Sequence, residues 1–417
     1  MKNYTHRLYV VLPRTIDDEI KKGIINKIKD TNKILDFHFE ELLTIYKESI
    51  ESHLSHKVKS NISDIFASKD NILNKVIFDV SVSYNKTYKQ RFKSDTGSGY
   101  SLNSVEYDFR FKTQGEHFYV DFSNVVIDEK SINELISNFL WISFNGFIFF
   151  PTYIAPAERS AINIFSKELS LVKTRSLNAV LKANGNSNEM LDLLKSRVNR
   201  YPKPIRDNLE IAEDLANLSK QKSQFAYLAE ELERDLLKGK IVISEHGQAE
   251  YLPDNEEFLH LELHLTGSIV KSLANIVFYL RHLAQPYDTI IIDEPELNLH
   301  PDNQRLIARF LGRLVNEGFK VIVSTHSDYI VRELNNMIML SQEHENRDAL
   351  LEKYGYQKNQ LVKPEQVEAL LFTKDSRKPT KIEVDESGLT VKTIDEVIEQ
   401  MNISTEDIYF QLFEKVG

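Results

Sequence analysis

From Asp36 to Lys69 the apolar residues Phe37, Leu42, Ile45, Leu54, Val58, Ile62 and Ile65 recur at mixed three- and four-residue steps, which predicts helix with one apolar stripe. The period changes at Lys75. VIFDVSVSY, VEYDFRFK and HFYVDFSNVVI follow a strand pattern, with the turn-rich DTGSGYSLN between the first two, so a small antiparallel sheet is expected over 75–127. A helix near Ser131 to Leu140 leads into an apolar strand, Phe147 to Ile154. Residues 159–237 return to helical periodicity, interrupted by ANGNSN and by YPKP, where Pro202 and Pro204 enforce a break. The last of these helices is expected to run from Ile205 to Leu237. A second β patch, KIVISEHGQAEYLP, and the alternating FLHLELHL follow it.

Beyond Gly267 the chain alternates between the two periods. A helix from Val270 to Leu283 precedes the continuous apolar strand Thr289 to Ile292. A helix from Asp302 to Asn316 precedes the strand Lys320 to Ser324, and another helix starts at Ser327. Short β-branched strands separated by helices predict an α/β fold whose parallel sheet is covered on both faces. The end of the chain, 383–417, mixes nine acids and two lysines with Ile394, Val397, Ile398, Met401, Ile408, Phe410, Leu412 and Phe413. A purely solvating tail would lack those apolar residues, so helices with one buried face and one negative face are expected, suited to docking on the same particle or on a basic partner.

Composition narrows the picture. The 417 residues are 41% apolar and 27% charged, a globular composition, and 62 acids against 52 bases exclude a basic nucleic-acid coat over the whole chain. Cysteine is absent, which excludes disulfides, thiolate metal sites and thiol catalysis and fits a reducing compartment. The N-terminal apolar run is too short for a signal peptide, and Phe139 to Ile154 falls short of a membrane span, so a cytoplasmic protein is expected. A local basic stretch remains: 165–206 holds nine Lys/Arg and three Asp/Glu, either a phosphate-backbone contact or a solvated helical face.

The strongest chemical signal is TIIIDEPELNLHP at 289–301, an apolar strand ending in paired acids at the edge where parallel sheets bind ligands. Asp293 stands where such a strand carries a Mg²⁺-holding acid, and Glu294, one residue on, can orient or deprotonate an attacking water. Helix-capping acids explain an Asp-Glu pair alone; they do not explain the Pro and the Asn-Leu-His-Pro that follow. One strand later, KVIVSTHS ends in His326, which can hydrogen-bond a γ-phosphate or the same water, or cap a helix. Thr266, Gly267 and Ser268 form a small hydroxyl-bearing turn before an apolar helix, with Lys271 one turn in: an anion site or an ordinary cap. The histidines of HLELH, 260–264, have metal spacing only on a helix, and the alternation there argues for strand.

The order of these motifs resembles an ABC-type ATPase head of the RecF/SMC-like and OLD-like group, with D-E-P-E-L-N-L-H-P where transporter heads read D-E-P-T-S-A-L-D. YIAPAERSAINIF at 153–165 is similar to a feature of AAA-labelled ATPases in prokaryotic anti-phage operons, such as the ATPase subunit of PARIS. The resemblance implies a P-loop NTPase-type sheet, ATP and Mg²⁺. Under it, Asp293 and Glu294 end Walker B, Asn298 belongs to the D-loop, and His326 is the switch histidine. Thr266, Gly267 and Ser268 with Lys271 form a signature turn that contacts the γ-phosphate bound by a second subunit. Glu158 and Arg159 occupy the Q-loop position.

It further implies these divisions: an N-terminal lobe to 135, a core strand over 136–158, a helical insertion over 159–240, the core proper over 241–340, and an acidic docking region over 341–417. A homodimer, a separate effector such as a Toprim or HNH nuclease, and DNA contact through 165–206 are the expected partners. No Toprim-type acid set follows His326, so a nuclease in the same chain is not expected.

One part of the pattern is missing. None of the fourteen glycines stands in G-x-x-x-x-G-K-[ST], the loop that cradles phosphate with its backbone N–H groups. A late-starting reading frame and a degenerate head are both open, and the intact acids, histidine and turn favour the first. The expected function is therefore an ATP-hydrolysing subunit acting as sensor or scaffold in anti-phage defence; a catalytically silent scaffold and a DNA-repair ATPase are the alternatives.

Overall fold

A computed structural model describes residues 34–38, 96–102, 105–114, 117–121, 152–165, 201–244, 247–256, 259–373 and 378–413. The chain forms two units, one of residues 1–151 and 185–203, the other of 152–184 and 204–417.

In the first unit, β1 (Ile34–His38), β2 (Thr96–Leu102), β3 (Val105–Gln114) and β4 (His117–Asp121) make an antiparallel sheet in the order β1-β4-β3-β2. The alternating segments thus form the expected ladder, with two departures. Helix was expected from Asp36, yet Ile34–His38 pairs with β4 from Ile34↔Asp121 to His38↔His117. LDFHF alternates with period two, and long-range pairing outweighs the helical spacing that begins inside it. The glycine-rich DTGSGYSLN was expected as turn, but Thr96–Leu102 within it pairs continuously with β3, from Thr96↔Phe111 to Leu102↔Val105. The helices expected over 39–69 and 131–140, the segment VIFDVSVSY and the basic stretch from 166 to 200 lie outside the described residues.

The second unit begins with β5 (Thr152–Ala155) and a helical segment over 159–165. The single helix expected from Ile205 to Leu237 is instead α1 (Lys203–Glu213), α2 (Leu215–Leu218) and α3 (Ala226–Leu232), which runs into a π-helical turn, Glu233–Leu237. Ser223 explains the longer break. Its N–H donates to Arg281 O at 2.8 Å and its hydroxyl to Ala284 O at 2.7 Å, tying the polar stretch to the end of another helix. β6 (Gly239–Ile243), β7 (Ala249–Pro253) and the short β8 (Leu261–Glu262) form an antiparallel sheet. The alternation in FLHLELHL stops there, because Leu263–Leu265 is a 3-10 turn.

The α/β alternation follows. The elements are α4 (Ser268–His282), β9 (Thr289–Asp293), α5 (Pro301–Asn316), β10 (Lys320–Ser324) and α6 (Asp328–Ser341). Strands β10, β9 and β5 pair in parallel in that order, with Ser324 opposite Asp293 and Ala155 opposite Ile292. Every position of α4 from Ser272 to Leu280 is buried, so it is an interior helix, and Ile290 and Ile292 of β9 are buried as well. Tyr153 of β5 stacks on Tyr279 of α4 with ring centroids 4.1 Å apart. Full cover of the sheet was expected. β10 departs from that: among the described residues it pairs only with β9, and Ile322 and Val323 are exposed.

The remainder comprises α7 (Arg347–Tyr354), the two-stranded pair β11 (Ala369–Leu371) with β12 (Thr380–Ile382), and the pair β13 (Val384–Asp385) with β14 (Gly388–Leu389). The last element is α8 (Lys392–Phe413), a single helix without a buried residue, where a buried face was expected. Among the described residues no helix is long and apolar enough to cross a membrane.

Candidate functional site

Parallel pairing brings the carboxyl ends of β9 and β10 side by side, so residues far apart in sequence meet at one edge. Asp293 closes β9 with an exposed side chain, and the Ser324 hydroxyl donates a short hydrogen bond to its Oδ1. The next residue, Glu294, has φ +44°, a left-handed conformation that a non-glycine residue holds only when its surroundings enforce it.

Those surroundings are specific. The Glu294 N–H donates to Ser324 O at 3.1 Å and to Ser324 Oγ at 3.2 Å. From the other side the fully buried Arg159 donates from Nη1 to Asp293 O at 2.6 Å and from Nη2 to Glu294 O at 2.7 Å. Its remaining bonds run to Ser272 Oγ at 3.0 Å and Pro156 O at 3.2 Å. Burial lowers the Arg159 pKa from its usual value, with Tyr153, Asp293, Glu296 and Glu294 opposing that shift. A guanidinium remains protonated under such a shift, so a permanent cation holds the backbone beneath both acids. Arg159 was expected, with Glu158, as a nucleotide-binding candidate at the Q-loop position; its guanidinium is buried and bonded to the backbone of the acid loop. Glu158 is exposed at the start of the 159–165 segment, and its carbonyl accepts from the N–H groups of Ala161 and Ile162.

The histidine loop is tied to the same turn. Glu296 Oε1 accepts from Thr325 Oγ1 at 2.9 Å and from the His326 N–H at 2.8 Å. His326 is exposed, two residues past Ser324, which pairs with Asp293. Ser327 caps α6 by accepting from the Ile330 N–H, and its hydroxyl donates to Gln304 Oε1 of α5 at 2.6 Å. Past Glu296, Asn298 has φ +63°, and His300 caps α5 ahead of Pro301.

The hydroxyl-bearing turn lies against this segment. Gly267 is the N-cap of α4 and no side chain caps the first turn, which leaves its N–H groups directed outward. Thr266 is buried and donates to Leu263 O at 2.7 Å, so it shapes the turn. Ser268 is exposed and donates to Asn298 O at 3.2 Å. Lys271 is half-buried, and its carbonyl accepts from Asn163 Nδ2 at 2.7 Å. His260 and His264 pair separately, with Glu250 at 3.0 Å and Glu262 at 3.5 Å. No group of three or more His, Asp or Glu suited to a metal occurs among the described residues. A cation at Asp293 would therefore be held by one carboxylate, the neighbouring hydroxyl, water and phosphate, which is how Mg²⁺ is commonly bound.

Asp293, Glu294 and His326 are legible in the sequence. Three participants were not read from it: Ser324, Glu296 in its clamping role, and Ser272. Glu296 stands in the quoted D-E-P-E run; its target, the loop at Thr325, becomes visible only once β9 and β10 are paired.

A parallel sheet with an acid pair at the end of one strand, a hydroxyl and histidine at the end of the next, and an uncapped helix N-terminus nearby belongs to the ATPase type of α/β domain. The chain matches the family described as AAA ATPase domain over residues 13–331, most of its length, and belongs to that family. The match ends within α6, so α7, α8 and the small strands between them lie beyond it. No curated protein matches the chain.

Proposed function

We propose that the chain is an ABC-type ATPase subunit that hydrolyses Mg²⁺-ATP at the carboxyl edge of β9 and β10. The observation that carries this reading is the enforced backbone of Glu294. A left-handed glutamate clamped between Arg159 and Ser324 is pre-positioned, and a pre-positioned carboxylate next to a Mg²⁺-type acid serves as base or orienter for water. Asp293 is the Mg²⁺ acid; the ion, when bound, neutralises charge on the β- and γ-phosphates. His326 donates to the γ-phosphate or steadies the water. The exposed edge of β10 is where a phosphate-cradling strand and loop would join the sheet.

The uncapped turn at Gly267 and Ser268, with Lys271, receives the γ-phosphate of a nucleotide held by a second subunit. Its neighbour Asn298 lies at the same exposed corner, so one face presents both to a partner. In a defence context the ATPase acts as sensor or scaffold and its effector, such as a Toprim or HNH nuclease, is a separate chain. The basic stretch 165–206 is the surface for any DNA contact.

A second reading, a catalytically silent scaffold, is favoured by one observation: no G-x-x-x-x-G-K-[ST] run occurs in the sequence. Phosphate release from ATP by the purified chain, with Mg²⁺ and with chelator, separates the two. The hydrolytic reading predicts turnover that chelator abolishes. Absence of turnover, with or without ATP binding, would refute the hydrolytic reading and favour the scaffold.

A further inference from the structure

Gln304 stands just inside the start of α5, where side chains lean back toward the helix N-terminus. Its amide is used at both ends. Nε2 donates to Leu299 O at 2.9 Å, and Oε1 accepts from Ser327 Oγ at 2.6 Å. A carbonyl can only accept, so the amide nitrogen must face Leu299 and its oxygen is left to take the serine proton. Glutamate here would set a second acceptor against the Leu299 carbonyl, and lysine would leave the serine proton without an acceptor. A side-chain amide satisfies both at once.

Both partners belong to loops of the candidate site. Leu299 closes the turn that starts at Glu296, and its N–H donates to Glu296 O at 2.9 Å. Its neighbour Asn298, at φ +63°, accepts from Ser268 through its own carbonyl. Ser327 is buried and directly follows His326. One turn therefore reaches the histidine loop twice. Its first residue, Glu296, accepts from Thr325 and from the His326 N–H; its last, Leu299, is joined through Gln304 to Ser327. His326 is exposed between two held neighbours. Held by Glu296 alone, the loop would pivot about one flank; Gln304 closes the ring from the other. We propose that Gln304 is a positioning residue for His326, setting the histidine loop in register with the turn that carries Asn298. This deepens the hydrolytic reading and rests on it. Gln304 acts through Ser327 and Leu299, not on the phosphates.

Two variants test this. Gln304→Met keeps the length of the side chain and removes both bonds. Gln304→Glu keeps the acceptor for Ser327, sets a carboxylate against Leu299 O, and carries the test if the methionine variant does not fold. In the full chain without nucleotide, amide hydrogen exchange over 297–300 and 325–328 should quicken in both, while the far end of α5 exchanges as before. In a chain carrying a phosphate loop, kcat should fall roughly 10- to 100-fold, with KM for ATP and the melting temperature close to the parent's. A residue that only supported the fold would lower the melting temperature and leave kcat of the folded protein alone. Unchanged exchange over 325–328 in an active parent overturns the role of Gln304 and leaves the hydrolytic reading standing. Quickened exchange with unchanged kcat, or a loss confined to KM, overturns it equally. A parent without turnover refutes the hydrolytic reading itself, and the role of Gln304 with it.

Discussion

A single buried side chain, Arg159, determines how much of the candidate site is built before any ligand arrives. Its two terminal nitrogens hold the carbonyls of Asp293 and Glu294, so the acid pair is supported from the strand edge beneath it. Arg159→Ala should lower stability by roughly 2–4 kcal/mol, since charged hydrogen bonds are lost and carbonyls are left unpaired. Arg159→Lys should recover part of the stability but little of the turnover, because one ammonium cannot span both carbonyls in the guanidinium's fork. Urea midpoints read beside ATP turnover check this, and equal recovery of both by lysine would remove the positioning role. Arg159 was visible in the sequence as a charge following a strand. Its burial was not, because its partners lie more than a hundred residues away along the chain.

Among the elements, those with a strong local period were the most legible. α5 and β10 appear where the pattern predicts, to within a residue. The 205–237 helix was misjudged because its break depends on Ser223 bonding to the far end of α4, a tertiary contact with no local mark. Two predictions concern the packing of α5. A Cβ on Gly312 would lie 2.2 Å from Gln360 O, a backbone atom that cannot step aside. Gly312→Ala should therefore destabilise by about 1–3 kcal/mol, although alanine favours helix by about 1 kcal/mol. A higher melting temperature would contradict that.

The second involves Glu333 of α6, which is buried between Arg305 at 2.9 Å and Arg309 at 2.5 Å. Burial opposes its ionisation, yet hydrogen bonds from Arg305, Tyr356 and Arg309 outweigh burial and hold its pKa below 4.5. A depressed folded-state value contributes stability that is complete above the unfolded pKa and lost as pH falls through the folded one. The urea midpoint should therefore decline as pH drops below about 4.5, and Glu333→Gln should flatten that part of the decline while lowering the midpoint at pH 7. An unchanged slope in the variant would show that other carboxylates carry the acid sensitivity.

At the scale of the molecule, the parallel β10-β9-β5 sheet and the match over 13–331 establish the ATPase domain, while assembly is a matter of proposal. Turn and acid pair of one chain are proposed to serve different nucleotides. Mixing Ser268→Arg with Glu294→Gln subunits should then restore part of the turnover that either variant lacks, because both lesions can fall in one composite site and leave the other intact. Strictly proportional loss would argue for sites contained in one chain. The C-terminal region was legible as amphipathic and acidic, but not as uncovered, since a sequence records which residues are apolar and not whether anything packs on them.

The central claim is that Glu294 is the group that activates water. Steady-state ATP turnover and equilibrium ATP binding of Glu294→Gln against the parent, both in a chain carrying a phosphate loop, test it most directly. The amide keeps the shape and the clamped backbone and cannot accept a proton, so turnover should fall by about 10²–10⁴-fold while ATP binding is unchanged. Hydrolysis by the variant at the wild-type rate would contradict the account.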